Sequence, residues 1–573
     1  MEVLKGEKYR WHLPEAEPEM MTKIASRYNL SVPVIQTLIS RNLTSPQEIE
    51  EFLFSDASRD VSSPDKLYGA SKAVDRILQA IEKGEKILIC GDYDVDGITS
   101  SALILSCLLP LGAKINFFLP NRVRDGYGLA AKTVERAAAN DYKVIITVDN
   151  GITAFDAAKT AKRLGIDLII TDHHRPHKTL PQAFAIINPH QKKCSYPFKY
   201  FAGVGVSFKL MSLLYEKLSK QLPAKVYELL LLGTVADVVP LRGENRYWVR
   251  HGLHHIKEHE SMALGVLKQN SRVRKPQLSS QDIGFFITPQ LNALGRLDDP
   301  RDGVTFLMSN NRQEIERIGS VLNTLNQARR VVERTILDDI NAELEKKDVT
   351  AEPLIVASNT RWPMGVIGLA ASRVVSAHNR PTFLFHITSD GIAKGSCRSI
   401  RGFNIFNALQ EVQDLLISFG GHAAAAGLSM PAQKLPLFEE RMREVVTKTV
   451  KPEDFLPTLQ LDAEVDLESV NPKLVADLEY LEPFGCENNV PLFCLRNVSL
   501  MGDVQLLKDA HVKCFVFSHG KMKPVIFFNR PELYARIKSA GHASCDLAVH
   551  VIENHWNNET KVELQGIDIC IGA

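Results

Sequence analysis

The chain lacks any uninterrupted run of about 18 apolar residues, the length a membrane-spanning helix needs. Its best candidate, residues 102–109, stops at Pro110. The opening Met-Glu-Val-Leu-Lys-Gly-Glu-Lys lacks the apolar core of a secretory signal. Nine cysteines are scattered with no Cys-x-x-Cys pair, which argues against a thiolate zinc site and fits a reducing cytoplasm. A net charge of only +1 announces no polyanionic partner, so a nucleic-acid surface would have to be built by local concentration of basic residues. What is present is a chain of 573 residues, 45% apolar and 24% charged, which is the profile of a soluble protein too long for one core.

From residue 66 to about 220, strand-like and helix-like patterns alternate. Apolar runs at 87–90, 115–119, 144–148, 168–170 and 183–187 are separated by helix-like stretches at 99–109, 130–138 and 154–164. Runs that are apolar on both sides belong to a parallel sheet covered on both faces, so the expected fold is a doubly wound, mainly parallel α/β domain spanning 66–310. Ile315, Ile318, Leu322, Leu325, Val332, Ile336, Ile340 and Leu344 recur at helical spacing and predict a connecting helix within 311–349. A second, smaller α/β domain is expected over 350–450. Short strand-like runs over 451–573 suggest a β-barrel, and residues 1–65 read as a mostly helical preface.

The densest chemistry lies just behind the first strand, in Asp92-Tyr93-Asp94-Val95-Asp96-Gly97. Three like charges this close repel one another unless a cation neutralises them. A calcium-binding EF-hand loop reads similarly but needs a Glu at its twelfth position and a preceding helix; here the twelfth residue is Leu103 and a strand precedes. Further polar residues follow the other strands: Asp149-Asn150-Gly151, Asp172-His173-His174 and Asn188-Pro189-His190. Asp237 follows another apolar run, 229–232. One Asp at a strand-to-helix turn is often only a cap. Separate segments delivering carboxylates and imidazoles to one rim of an α/β sheet mark an active site. This donor set, without thiolate, favours Mn²⁺, with Mg²⁺ the alternative, and it suffices for two ions. Two ions about 3.5–4 Å apart suit in-line attack on phosphorus.

In this order the motifs resemble the DHH phosphoesterase family, and within it the RecJ-like single-strand-specific DNA exonucleases. The resemblance runs through Asp92–Gly97, Asp149 and Asp172-His173-His174, then Asn121-Arg122-x-x-Asp125-Gly126-Tyr127-Gly128, Phe201–Val206, Gly233–Val239 and Asn292–Arg296. In the second domain it rests on Gly365–Gly368 and Gly420–Gly427, the latter like the DHH-associated domain; the C-terminal region resembles an oligonucleotide-binding fold. It implies that Asp94, Asp96, Asp149, His173 and Asp237, with Asp92, are metal ligands. It also implies that Asp172 orients His173 and that His174 faces the scissile phosphate. Arg296, Ser396 and Arg398 match positions that hold phosphate near a 5′ end, with Gly421 and His422 beside them. Physically, Lys394–Arg398 offers a hydroxyl and a forked guanidinium suited to phosphate, although an exposed turn would look alike. Cys397, Gln290, Pro363, Glu487 and Asn489 depart from the family pattern without removing a ligand.

The implied activity is 5′-to-3′ hydrolysis of single-stranded DNA to mononucleotides in repair and recombination. The implied cofactors are two Mn²⁺ or Mg²⁺ ions. The implied setting is a cytoplasmic monomer in contact with single-stranded-DNA-binding protein and a RecQ-type helicase, with no membrane. Basic and aromatic groups could hold the strand: Arg122, Arg124 and Tyr127; Arg246, Tyr247, Trp248 and Arg250; Arg272, Arg274 and Lys275; Arg329, Arg330 and Arg334. Two other readings stay open: a phosphoesterase for short oligonucleotides or cyclic dinucleotides, and a non-catalytic DNA-binding scaffold.

Overall fold

The computed structural model describes residues 2–15, 17–121, 125–126, 128–346, 348, 351–556 and 559–572. Its centre is a five-stranded, all-parallel sheet in the order Lys114–Phe118, Lys86–Cys90, Tyr142–Val148, Asp167–Thr171 and Ala185–Ile187. Side chains alternate between its faces. Ile87, Ile89, Val144, Ile146, Val148 and Ile169 share one core with helices Val95–Leu108 and Gly203–Lys217. Leu88, Cys90, Ile145, Leu168 and Ile170 pack on the opposite face under helices Ala131–Ala139 and Phe155–Leu164. Both faces are therefore dry, which is why the strands read as continuous apolar runs. The expected doubly wound arrangement is the one found.

The long helix runs from Arg312 to Leu344 over 33 residues. Its first half packs Ile315, Ile318 and Leu322 into the core of the parallel-sheet domain, and its second half packs Ile336, Ile340 and Leu344 against Val366, Ala370 and Val374 of the second domain. It is a strut shared by two cores. The second domain is a five-stranded mixed sheet in the order Ser418–Gly421, Ala425–Pro431, Ile392–Arg398, Thr382–Ile387 and Ile355–Asn359. In the C-terminal region, Phe493–Leu507, His511–Ser518, Lys521–Phe527, Glu559–Ile571 and Ser544–Trp556 pair in turn, and the last pairs back with the first to close a five-stranded barrel.

The N-terminal stretch, read from sequence as a mostly helical preface, differs in two ways. It contains strands Glu2–Lys5 and Arg10–Leu13, and the second pairs in parallel with Thr458–Gln460. Met21, Val34, Ile35, Leu38, Ile49 and Leu53 share one core with the barrel. Trp11 is fully buried, and its Nε1–H donates to Asp568 Oδ2 at 3.0 Å. Contacts across more than five hundred residues leave no local pattern, so no periodicity could announce them.

The Arg246–Arg250 cluster, expected to face DNA, is structural instead. Arg246 is 1% exposed and donates to the carbonyls of Phe52, Leu481 and Tyr480, while Arg250 donates to that of Leu53. These guanidiniums join the parallel-sheet domain to both the N-terminal helices and the segment leading into the barrel. Arg246→Ala orphans three carbonyls, so the thermal midpoint should fall by an amount equivalent to about 3 kcal/mol. Differential scanning fluorimetry on the full chain checks this; an unchanged midpoint would remove the joining role.

Candidate metal centre

Four segments meet beyond the C-terminal ends of the strands. Asp94 caps helix Val95–Leu108, its Oδ1 accepting from the Gly97 N–H at 3.1 Å. As the second residue of that helix, Asp96 accepts the N–H groups of Gly203 at 2.6 Å and Val204 at 2.7 Å, so it also anchors the start of helix Gly203–Lys217. Asp149 sits at φ 59, a left-handed conformation that Asp tolerates at some cost. Gly203 packs against it so closely that a Cβ there would lie 2.5 Å from the Asp149 Cβ. Asp237 ends helix Lys225–Ala236.

His173 Nε2 stands 3.2 Å from Asp149 Oδ1, 3.6 Å from Asp237 Oδ2 and 4.0 Å from Asp96 Oδ2. Asp92, Asp94 and Asp149 form an adjoining group whose ligand atoms all lie within 4.8 Å of one another. Asp149 belongs to that group and to a second with His173 and His174, while His173 also groups with Asp96 and Asp237, so Asp149 stands where a bridging carboxylate would. Asp149 Oδ1, His173 Nε2 and Asp237 Oδ2 are buried and have no hydrogen-bond partner among the described residues. Leaving one such atom unsatisfied costs about 1–3 kcal/mol, and more when it is charged. Three converging on one point fit a cation placed among them.

The electrostatics agree. Burial, and then the charge of Asp237, push Asp96 up to about 8. Burial, and then Asp94, push Asp237 up to about 7. Burial and the surrounding carboxylates raise Asp149 well above the usual range. Burial and then the charge of His174 hold His173 low, which keeps its imidazole neutral and able to donate a lone pair. A divalent ion would reverse the carboxylate shifts by stabilising the ionised forms.

Asp172 has a different partner from the one the family resemblance implied. It is fully buried and takes the N–H groups of Ile152 at 2.8 Å and His174 at 3.0 Å. Its Oδ1 lies 2.8 Å from His174 Nδ1. It therefore orients His174, not His173, because the turn folds the ring two residues on back over the carboxylate. Burial alone would pull His174 down, but the hydrogen bond and charge of Asp172 outweigh it and raise it to about 9. In the metal-free protein these interactions favour the imidazolium form of His174, whose side chain is 40% exposed and whose backbone carbonyl is held by Asn188 Nδ2 at 2.8 Å. Asn188 and the Gly203–Val204 amides lie in segments singled out from sequence, but no role was assigned to them there. The small-residue run Gly203-Val204-Gly205 was the available signal.

Helix Thr288–Leu297 links this centre to the second domain. Asn292 Oδ1 accepts from the Val95 N–H at 3.2 Å, while Arg296 Nη1 donates to the Gly365 carbonyl at 2.8 Å. Behind Gly365, Arg398 donates to Ser396 Oγ at 3.2 Å and to Ser372 Oγ at 3.1 Å. Gly368 leaves room for them: a Cβ there would lie 2.9 Å from Ser396 Oγ and 3.2 Å from Arg398 Nη2. Arg296, Ser396 and Arg398 are thus brought together around the start of helix Met364–His378. Gly421 and His422 lie on the exposed hairpin Ser418–Gly421/Ala425–Pro431, and Gly427 on that hairpin pairs with Ser396. Arg122, Arg124 and Tyr127 lie outside the described residues.

Four of the five departures from the family pattern have a visible structural setting. Cys397 points into the second domain's core, on the face opposite Ser396. Gln290 is buried and hydrogen-bonded to Leu267, Ser271 and Phe286. Pro363 precedes helix Met364–His378 as its cap. Glu487 pairs with Arg242 at 3.1 Å.

Comparison with known proteins places the chain among relatives. Family models match for the DHH family, N-terminal domain (residues 86–234), the DHHA1 domain (351–448) and the RecJ OB domain (461–568). The single-stranded-DNA-specific exonuclease RecJ of Bacillus subtilis is 34% identical over 567 residues, covering 98% of this chain and 71% of that protein. The crystal structure of RecJ in complex with Mn²⁺ from Thermus thermophilus superposes with a TM-score of 0.84 at 26% identity, covering 98% of this chain and 80% of that one. The Mg²⁺ complex from the same organism superposes at 0.77 and 24% identity, covering 98% and 78%.

Proposed function

The chain belongs to the RecJ family of single-stranded-DNA-specific exonucleases, and from that premise we propose that it removes mononucleotides stepwise from the 5′ end of single-stranded DNA. It is a metal-dependent nuclease, with Mn²⁺ or Mg²⁺ as cofactor. The observation that carries the reading is the convergence of unpartnered Asp149 Oδ1, His173 Nε2 and Asp237 Oδ2, with a guanidinium-and-hydroxyl pocket one helix away.

Asp92, Asp94, Asp96, Asp149, His173 and Asp237 would hold two ions. Bound there, the ions supply an activated water and neutralise charge on the phosphoryl oxygens. The chain's own residues do the rest. His174, kept protonated by Asp172, presents a charged N–H donor at the open side of the cluster, suited to a non-bridging phosphate oxygen or to the leaving oxygen. Arg398, Ser396 and Arg296 receive the 5′-terminal phosphate and set which bond reaches the centre. The size of the chain and its barrel speak for a polymer over a cyclic dinucleotide. Action in DNA repair and recombination, a cytoplasmic location, a monomeric state, and contacts with single-stranded-DNA-binding protein and a RecQ-type helicase complete the proposal. No helix among the described residues is long and apolar enough to cross a membrane.

The test uses 5′-labelled single-stranded DNA, the matched duplex and a 3′-labelled control, each with Mn²⁺. Early release of labelled mononucleotide from the 5′ end of the single strand alone is expected. Retained binding without hydrolysis would leave the scaffold reading, and internal or 3′-first cleavage would reject the polarity. Arg398→Ala should cut the preference for a 5′-phosphorylated over a 5′-hydroxyl strand about tenfold, the loss of one charge-assisted contact. Equal loss on both ends would remove Arg398 from phosphate recognition.

A further inference from the structure

Phe285 is the most exposed aromatic side chain among the described residues, at 66%, and Phe286 beside it is 41% exposed. Both lie on a π-helical turn, Ile283–Ile287, between the helical segments Ser280–Asp282 and Thr288–Leu297. Such turns are uncommon and recur at functional sites. This one is locked in place. The Phe286 carbonyl accepts from Ser271 Oγ at 2.7 Å and Gln290 Nε2 at 2.9 Å. Gln290, 1% exposed, takes a further bond from Asn270 Nδ2 at 3.0 Å. Buried Gln290 and half-buried Ser271 are thus committed to a conformation that turns two phenylalanines outward, against the hydrophobic preference of both.

The position of the turn gives the exposure a use. Gly284 packs on helix Lys225–Ala236, where an added Cβ would lie 3.4 Å from Val235 Cγ1, two residues before Asp237 of the metal centre. On the other side, Phe286 lines a cavity of about 710 Å³ whose walls carry Arg272, Arg330, Asn270, Asn323 and Gln327. Lys275 and Arg329 nearby are neutralised by Asp282 and Glu333, but Arg272 and Arg330 have no ion-pair partner among the described residues. Aromatic faces stack on bases, guanidiniums take backbone phosphates, and side-chain amides reach base edges. These three kinds of group, side by side, fit single-stranded nucleic acid.

We infer that Phe285 and Phe286, with Arg272 and Arg330, form a stacking subsite for nucleotides of the single strand that lie outside the metal centre. The inference rests on the single-strand reading and adds to it a track that leads from Asp237 across the π-turn. Phe285 is a positioning residue: it holds bases so that the strand cannot slide while its terminal phosphodiester is cut.

The experiment moves a single abasic site along a homogeneous single-stranded oligonucleotide and measures steady-state turnover with Mn²⁺. Fluorescence anisotropy of the same strands, with Ca²⁺ in place of Mn²⁺, reads binding without turnover. The wild-type protein should bind about tenfold more weakly when the abasic site occupies one or two particular positions. Phe285→Ala should weaken binding of the intact strand by a similar factor, acting mainly on KM, and should erase the sensitivity at those positions. Phe285→Tyr should restore both. Equal abasic sensitivity in the wild type and Phe285→Ala, or none at any position in the wild type, would overturn the inference. Loss of hydrolysis with the abasic pattern intact in anisotropy would instead fault the nuclease reading and leave this subsite standing.

Discussion

Asp149→Asn should lower turnover on single-stranded DNA by on the order of a thousandfold or more, while raising the thermal midpoint of the metal-free protein. The first effect follows because Asp149 is the one carboxylate that belongs to two of the three ligand groups found among the described residues. An amide is a weak, neutral ligand, and the loss of one group that stabilises charge at a reacting centre already costs about 10²–10³. Asn is the right replacement because it tolerates the left-handed backbone at φ 59 and keeps the shape that Gly203 packs against. The second effect follows from electrostatics. Burial and then Asp96 hold the Asp149 carboxyl well above its usual range, so its charge opposes the metal-free fold. Removing it should stabilise that state. Kinetics and calorimetry on one preparation check both parts. A variant that loses activity and also melts lower would indicate damage to the fold rather than loss of a ligand.

Metal stripping should destabilise the protein in a pH-dependent way. Asp96 is raised to about 8 and Asp237 to about 7, against about 4 for an unfolded aspartate. A carboxyl raised in the folded state contributes stability that is fully present below about pH 4 and is lost as pH rises through its folded value. In EDTA, this cluster's contribution should therefore decline between about pH 4 and pH 8. An ion displaces the protons and stabilises the ionised forms, so the Mn²⁺-induced rise in midpoint should be small at pH 5 and grow toward pH 8. At a hundredfold excess over Kd the added stability is about 2.7 kcal/mol. Paired melting curves at pH 5, 6, 7 and 8 measure the difference directly. A Mn²⁺ effect that shrank with rising pH would mean that the ion binds elsewhere.

How much of this was legible in the sequence depended on whether each feature was local. The five strands showed themselves because both sheet faces are dry, and the connecting helix because Ile315, Ile318 and Leu322 repeat at its period. The loops bearing Asp92 to Asp96, Asp149 and His173 were readable because they follow strands whose ends lie on one rim. What stayed hidden was set by partners distant in sequence or by backbone detail. The burial of Arg246 depends on the carbonyls of Phe52, Tyr480 and Leu481, which no spacing predicts. The choice of His174 over His173 by Asp172 is decided by a turn of two residues. The π-turn that exposes Phe285 depends on Ser271 and Gln290 meeting one carbonyl.

In the proposed mechanism the rim of the sheet holds two divalent ions. Crystals grown with Mn²⁺ and measured at its absorption edge test this most directly. Two anomalous peaks are predicted, one among Asp96, Asp149, His173 and Asp237 and one among Asp92, Asp94 and Asp149, with the first lost or weakened in His173→Ala. Peaks absent from the rim at saturating Mn²⁺, or present only at sites remote from Asp149, would contradict it.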